Sequence, residues 1–205
     1  PLLMTCSAAR SRLTPILLVP SMHKDLFDDP VTQELLDRIS GASILMGPYD
    51  EGRYKQPNPV QIVAELCHAV NHNSDSKHFA ITLGANRAPI DSVRAIQNAS
   101  SGETGWCIAE HLYRFGHTVT VVAGKTSADP SFDLPVVIRA GGPDEMLAEC
   151  LTVATSNPDG WIHAAAVLDY YTKPLEGKKP SGDNEWILEL QPGPKHIKEL
   201  SEYIG

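Results

Sequence analysis

No run of about 18 or more apolar residues occurs in this chain, so no segment is long enough to cross a membrane as a helix. No charged and apolar leader with a small-residue cleavage site is visible. Positive charge is in deficit. The 17 Lys and Arg stand against 25 Asp and Glu, a net −8, which argues against a partner held by its nucleic-acid backbone. A nucleotide is not excluded, because a local nest of N–H groups binds phosphate whatever the net charge. Cysteine is sparse and scattered. Cys6, Cys67, Cys107 and Cys150 form no Cys-x-x-Cys pair, which argues against zinc and fits a reduced, cytoplasmic compartment. Cys67, Cys107 and Cys150 fall in helical patterns and are expected to be small core residues. No internal repeat of useful period is present, and no Gly-x-Gly-x-x-Gly follows the strand at Phe79, which counts against a nicotinamide-dependent reductase.

What is present is an alternation of short apolar runs with helical patterns. The 205 residues, 42% of them hydrophobic, can bury one core or two small ones. Residues 15–20 and 42–46 read as buried strands. Asp29 caps a helix with Pro30 at its first position and Val31, Leu35, Leu36 and Ile39 as its stripe. Asn58-Pro59 opens another helix with Val60, Val63, Leu66 and Val70 on one face. The polar run from Asn71 to His78 reads as a boundary, with residues 1–72 before it, a linker over 73–78 and a second domain over 79–205. In that domain, strands are expected at 79–83, 118–122, 134–139, 161–167 and 186–190, and helices at 102–115, 143–154 and from His196. Alternation of this kind predicts an α/β fold, a Rossmann-like three-layer sandwich with a mostly parallel sheet.

The stretch from Ile81 to Gly124 concentrates the chemistry. A strand runs into a polar loop, residues 84–101, longer than an ordinary connection. The loop delivers Asn98-Ala99-Ser100-Ser101-Gly102 to the start of a helix carrying Ile108, Leu112 and Phe115 at helical spacing, with Gly116 placed for a left-handed cap. A helix N-terminus presents unpaired N–H groups and partial positive charge, which suits phosphate. The plainer reading is a serine N-cap. Asp91 and Arg94, three apart, could simply pair with each other.

Pro89-Ile-Asp-x-Val-Arg94, then Asn98-x-Ser-Ser-Gly102 and Gly105, resemble the signature loop of phosphopantothenate–cysteine ligases. Ala164-Ala-Ala-Val-x-Asp169 and the following Lys178-Lys179 do so too. The first part resembles the tail of phosphopantothenoylcysteine decarboxylases, with Pro20-Ser-Met22-His23 matching a Pro-x-Met-Asn loop. The order matches the bifunctional coenzyme A biosynthesis flavoprotein family.

The resemblance implies a partial flavodoxin-like α/β segment followed by a ligase domain, with FMN only where the rest of the decarboxylase part is present. Lacking the decarboxylase's first strands and histidine, the chain is expected to ligate and not to decarboxylate. The implied reaction joins 4′-phosphopantothenate to cysteine through an acyl-cytidylate, with CTP as substrate, Mg2+ on the phosphates and a homodimer or higher oligomer as the assembly. Asn98 and Lys178 would be catalytic. Gly84, Arg87, Arg94, Ser100, Ser101, Gly102, Ala165, Ala166, Asp169 and Lys179 would bind nucleotide or substrate. The resemblance assigns no metal ligand. A non-catalytic nucleotide-binding fragment or interaction module is the competing expectation.

Overall fold

The computed structural model of the protein describes residues 2–182 and 184–203. The chain parts into two compact units. The first runs to Asp75 and takes in Arg114–Gly116 and Ser131–Asp133; the second holds the remainder.

The first unit contains α1 (Leu2–Ser11), β1 (Leu17–Leu18), β2 (Met22–His23), α2 (Lys24–Phe27), α3 (Pro30–Asp37), β3 (Ser43–Ile44), β4 (Tyr49–Asp50), β5 (Arg53–Tyr54) and α4 (Pro59–Asn71). β1 and β3 form a parallel pair, and β2, β5 and β4 an antiparallel sheet in that order. Helices α3 and α4 start as their sequences require. The Asp29 carboxylate accepts from the N–H groups of Val31 and Thr32 at 2.9 and 3.3 Å, the Asn58 side chain accepts from Val60 at 2.9 Å, and a proline follows each cap. Their apolar stripes do not go where periodicity sends them. Val31, Leu35, Val63 and Val70 are each more than half exposed, and Ala64 is the buried residue of α4. Two residues of paired strand give a helix face too little to cover it.

The second unit contains β6 (His78–Leu83), β7 (Arg87–Pro89), β8 (Ala95–Gln97), α5 (Glu103–Arg114), β9 (Thr118–Ala123), β10 (Val136–Arg139), α6 (Pro143–Ala154), β11 (Gly160–His163), β12 (Tyr170–Tyr171), β13 (Gln191–Pro192) and α7 (His196–Leu200). β10, β9, β6 and β11 form a parallel sheet in that order. Side chains alternate across it. Ala80 and Val122 join Met146, Cys150 and Val153 of α6 and Leu200 of α7 in one core. Leu83 faces α5, which runs so close that a Cβ on Gly105 would lie 2.3 Å from the Leu83 Cβ. Helix, sheet and helices make the three expected layers.

Four local expectations need correction. The buried face of α5 is Gly105, Trp106, Ala109 and Tyr113, while Phe115 and Cys107 are exposed. Trp106 is anchored inward by an indole N–H donated to the Ala128 carbonyl at 3.1 Å, which turns the helix off the Ile108 stripe. Residues 84–101 are not an open loop: β7 and β8 pair as a hairpin, Arg87 opposite Gln97. The Asp91 side chain closes its turn by accepting from Val93 and Arg94 at 2.9 and 2.7 Å. Residues 186–190 form no strand; the local pairing is β12 with β13. The β11 ladder ends at His163, though Ala164 and Ala166 still donate to the Thr82 and Gly84 carbonyls at 2.9 and 2.7 Å.

Candidate active site

The site lies where open α/β sheets bind ligands, beyond the carboxyl ends of their strands. Its floor is main chain. Ala85, just past β6, exchanges 2.8 Å hydrogen bonds in both directions with Lys125, just past β9, and also bridges to Ala166, just past β11. The turn out of β6 needs Gly84 at φ +78°, where a Cβ would meet the Lys125 carbonyl at 2.7 Å. Gly102, at φ +82°, brings the start of α5 against Thr126, whose Cγ2 would lie 2.6 Å from an added Cβ. These two glycines let the loops after β6 and β9 and the tip of α5 meet.

A cleft of ≈ 440 Å³ opens beside this junction at Lys125, lined by Asn98, Ser100, Ser101, Lys125, Thr126 and Ser127 among others. Two of its groups already have work. Ser101 Oγ accepts from the Glu103 N–H at 3.3 Å, so it caps the first turn of α5 from one residue before Gly102, whose carbonyl takes the first helical bond from Trp106. The Asn98 amide donates to the Ala166 and Val167 carbonyls, both at 3.0 Å. With both hydrogens used, this amide has none left for a substrate carbonyl; what it can offer is the acceptor Oδ1. Ser100 and the exposed ammonium of Lys125 complete the lining. Lys125 was not anticipated. Its signal was its position, one residue past the glycine that ends the β9 run.

Arg94 and Lys179 sit apart from this cleft, at the hairpin tip. The Arg94 guanidinium pairs with Asp91 at 2.6 Å, donates to the Lys179 carbonyl at 2.7 Å and covers the Trp186 ring at 4.4 Å. Lys179 Nζ lies 4.9 Å from the same ring centroid. Burial works against the charge on Asp91. The N–H groups of Arg94, Val93 and Lys179, with the Arg94 side chain, outweigh it and hold the carboxyl well below its usual range. The segment after Lys173 is therefore not loose. Leu175 donates to the Ile90 carbonyl at 2.9 Å and Ser92 to the Gly177 carbonyl at 3.1 Å. Lys178 is exposed.

The other expected residues are dispersed. Asp169 pairs with Lys195 at 2.6 Å, Ala165 packs against the α6 core, and Arg87 lines a second cleft of ≈ 430 Å³. That cleft also holds Lys173, from the expected lysine segment, and Asp144, Glu145 and Tyr171, which were not singled out from sequence. Tyr171 donates to Asp144 at 2.7 Å; burial and this carboxylate push its phenol up to about 12. Glu145 accepts from the N–H groups of Gly141 and Gly142 at 2.7 and 3.1 Å, so the tip of α6 is already supplied with an anion. Among the described residues buried His196 has no well-formed hydrogen bond on either nitrogen, and burial lowers its pKa against the opposing backbone of Pro143. Pro20, Met22 and His23 belong to the first unit, where Met22–His23 is strand β2 against Tyr54 and Arg53 and not the expected loop.

Residues 74–204 match the family model described as the DNA/pantothenate metabolism flavoprotein C-terminal domain. The chain is 32% identical over 193 residues to the coenzyme A biosynthesis bifunctional protein CoaBC of Thermococcus kodakarensis, covering 92% of this chain and 47% of that protein. It is 32% identical over 198 residues to the CoaBC of Haemophilus influenzae, covering 91% and 49%. It thus spans about half the length of the curated relatives it matches. Among solved structures, the C-terminal domain of a CoaBC superposes with a TM-score of 0.51 at 30% identity, over 62% of this chain and 58% of that one.

Proposed function

Given that the chain belongs to the DNA/pantothenate metabolism flavoprotein C-terminal domain family, we propose that its second unit is a phosphopantothenate–cysteine ligase of coenzyme A biosynthesis. A carboxylate oxygen of 4′-phosphopantothenate attacks the α-phosphorus of CTP, and pyrophosphate leaves. The cysteine amine then attacks the acyl carbon of the acyl-cytidylate. CMP leaves with the electron pair of the acyl C–O bond, and the amine's proton passes to solvent.

The observation that carries this reading is the cleft that gathers Asn98, Ser100, Ser101 and Lys125 at the tip of α5. Phosphate at that tip meets N–H groups, a hydroxyl and an ammonium together. Asn98 holds the end of the β11 segment in place and turns Oδ1 toward the attacking amine. Lys178 is the lysine assigned to the triphosphate, while Gly84, Gly102 and Ala166 serve by letting the loops that frame the cleft meet. No cluster of three His, Cys, Asp or Glu able to hold a metal occurs among the described residues. A magnesium ion would therefore be carried by the nucleotide's own phosphates and water, its usual arrangement in such sites.

Residues 1–72 correspond in this reading to the end of the decarboxylase part, for which FMN would be the cofactor. Among the described residues no helix is long and apolar enough to cross a membrane, and the reaction belongs in the cytoplasm. Residues 186–190 carry strand alternation without a partner, and Ile187 is 84% exposed. A second copy of the chain would supply that partner, so a homodimer is the assembly to look for by sedimentation equilibrium.

The test is turnover with labelled phosphopantothenate, CTP and cysteine. Asn98→Ala should form the acyl-cytidylate and, with the amine no longer positioned, convert it on the order of a hundredfold more slowly. Unchanged conversion removes Asn98 from the mechanism. The second reading, a nucleotide-binding module without turnover, is favoured by the internal ion pairs that occupy Arg94 and Asp169. CTP binding by calorimetry without any product would establish it.

A further inference from the structure

The hairpin tip and the lysine-bearing segment are joined by contacts that neither the N-cap cleft nor the sheet requires. Asp91, whose side chain has no solvent exposure, reaches across 88 residues of sequence to accept the Lys179 N–H at 3.2 Å. Arg94 takes the Lys179 carbonyl from the same side. Two further backbone hydrogen bonds, Leu175 to Ile90 and Ser92 to Gly177, run between the same strips of chain. Trp186 then lies against both cations, Arg94 and Lys179. Lys178 is the exposed residue between the two points where its own segment is tied, Gly177 and Lys179.

We propose that Asp91 and Arg94 are positioning residues: they form a clasp that fixes residues 175–179 on the β7–β8 hairpin and so sets where Lys178 can reach. An ionised carboxylate is suited to this task, since it accepts several N–H groups at once and Arg94 balances its charge. Carboxylate, guanidinium and ring form one network, so loss of the central acceptor leaves buried donors unmet and frees the segment. The hairpin that ends in Asn98 then also holds the lysine segment, and one element sets both groups. The clasp rests on the ligase reading only for what Lys178 does.

Two measurements on the full chain test it. In the first, amide exchange and tryptic cleavage after Lys178 are compared for the unaltered protein and Asp91→Asn. Lys173 and Lys179 each precede proline and resist trypsin, so the Lys178–Lys179 bond reports this segment. The expected result is faster exchange at Leu175, Ser92 and Lys179, and cleavage faster by at least about tenfold. Equal rates overturn the clasp. In the second, ligation is measured for Asp91→Asn, Lys178→Ala and the double variant. Asp91→Asn is expected to lower kcat/KM on the order of tenfold to a hundredfold, with no further loss in the Lys178→Ala background. Additive losses overturn the positioning role. If the unaltered protein does not ligate, the ligase reading falls and the exchange measurement alone decides the clasp. Should Asp91→Asn fail to fold, Trp186→Leu carries the same tests, since it removes the ring beneath both cations and strands no buried charge.

Discussion

In the second unit Ile81, Leu83, Val121 and Val122, on neighbouring strands, are withdrawn from solvent altogether, while in the first Val31, Leu35, Val63 and Val70 stay more than half exposed. The helices of the two regions are written in the same way. α3 and α4 even carry better side-chain caps than α5, whose cap is the single 3.3 Å contact from Ser101. The difference lies in what each helix is given to cover. Four parallel strands with ladders of up to six paired residues present a broad apolar face; β1 and β3 pair over two residues. Caps and periodicity determine that a helix forms. Burial depends on the width of the sheet behind it.

Three measurements would break or sharpen this contrast. The largest effect is expected in thiol labelling. Cys150 is buried, and burial foremost, with the nearby Glu149 charge, pushes its thiol up to about 12. Its thiolate fraction is then about a thousandfold below that of an ordinary thiol. Cys67 of the first unit and exposed Cys107 should label in the native protein, and Cys150 only on unfolding. Equal rates for Cys67 and Cys150, followed by mass spectrometry, would erase the distinction. Next, Leu83→Ala should cost about 2–5 kcal/mol in denaturant unfolding, against under about 0.5 kcal/mol for exposed Leu35→Ala; similar costs would mean that the first unit buries more than its exposure indicates. Smallest, Asp29→Ala should destabilise α3 by ~1 kcal/mol, read as faster amide exchange confined to residues 30–37. A loss spreading through the second unit would contradict the division.

Much of this fold was legible because its longest elements carry redundant signals. β6, β9 and α6 are long, and proline or glycine stands at their borders. The α5 face was misjudged because Gly105 does not register as apolar, although it marks the closest approach to the sheet. The β7–β8 hairpin was hidden because an Asp91 side chain, and not a glycine turn, closes it. Residues 186–190 alternate like a strand, yet alternation cannot say whether a neighbour exists. At the site, the cluster beside α5 was readable because Asn98 to Gly102 are contiguous. The pairing of Asp91 with Arg94 was legible from their spacing, but the further bond of Arg94 to Lys179 and the pairing of Asp169 with Lys195 were not, since those partners lie 85 and 26 residues away. Lys125 was missed because a residue just past a strand shows no periodicity.

The three-way junction at Ala85 bears on how freely the surrounding loops can vary. Ala85 and Lys125 exchange both their peptide hydrogen bonds, and Ala166 is bonded to the Gly84 carbonyl and the Asn86 N–H. These bonds use atoms that every amino acid shares. Point mutation cannot delete them, and bulk at Gly84 would collide with the chain itself. Side chains at the rim, such as Ser100 and Lys125, line the cleft and can be exchanged while the frame beneath them stays closed. The junction therefore separates what holds the loops from what the loops display.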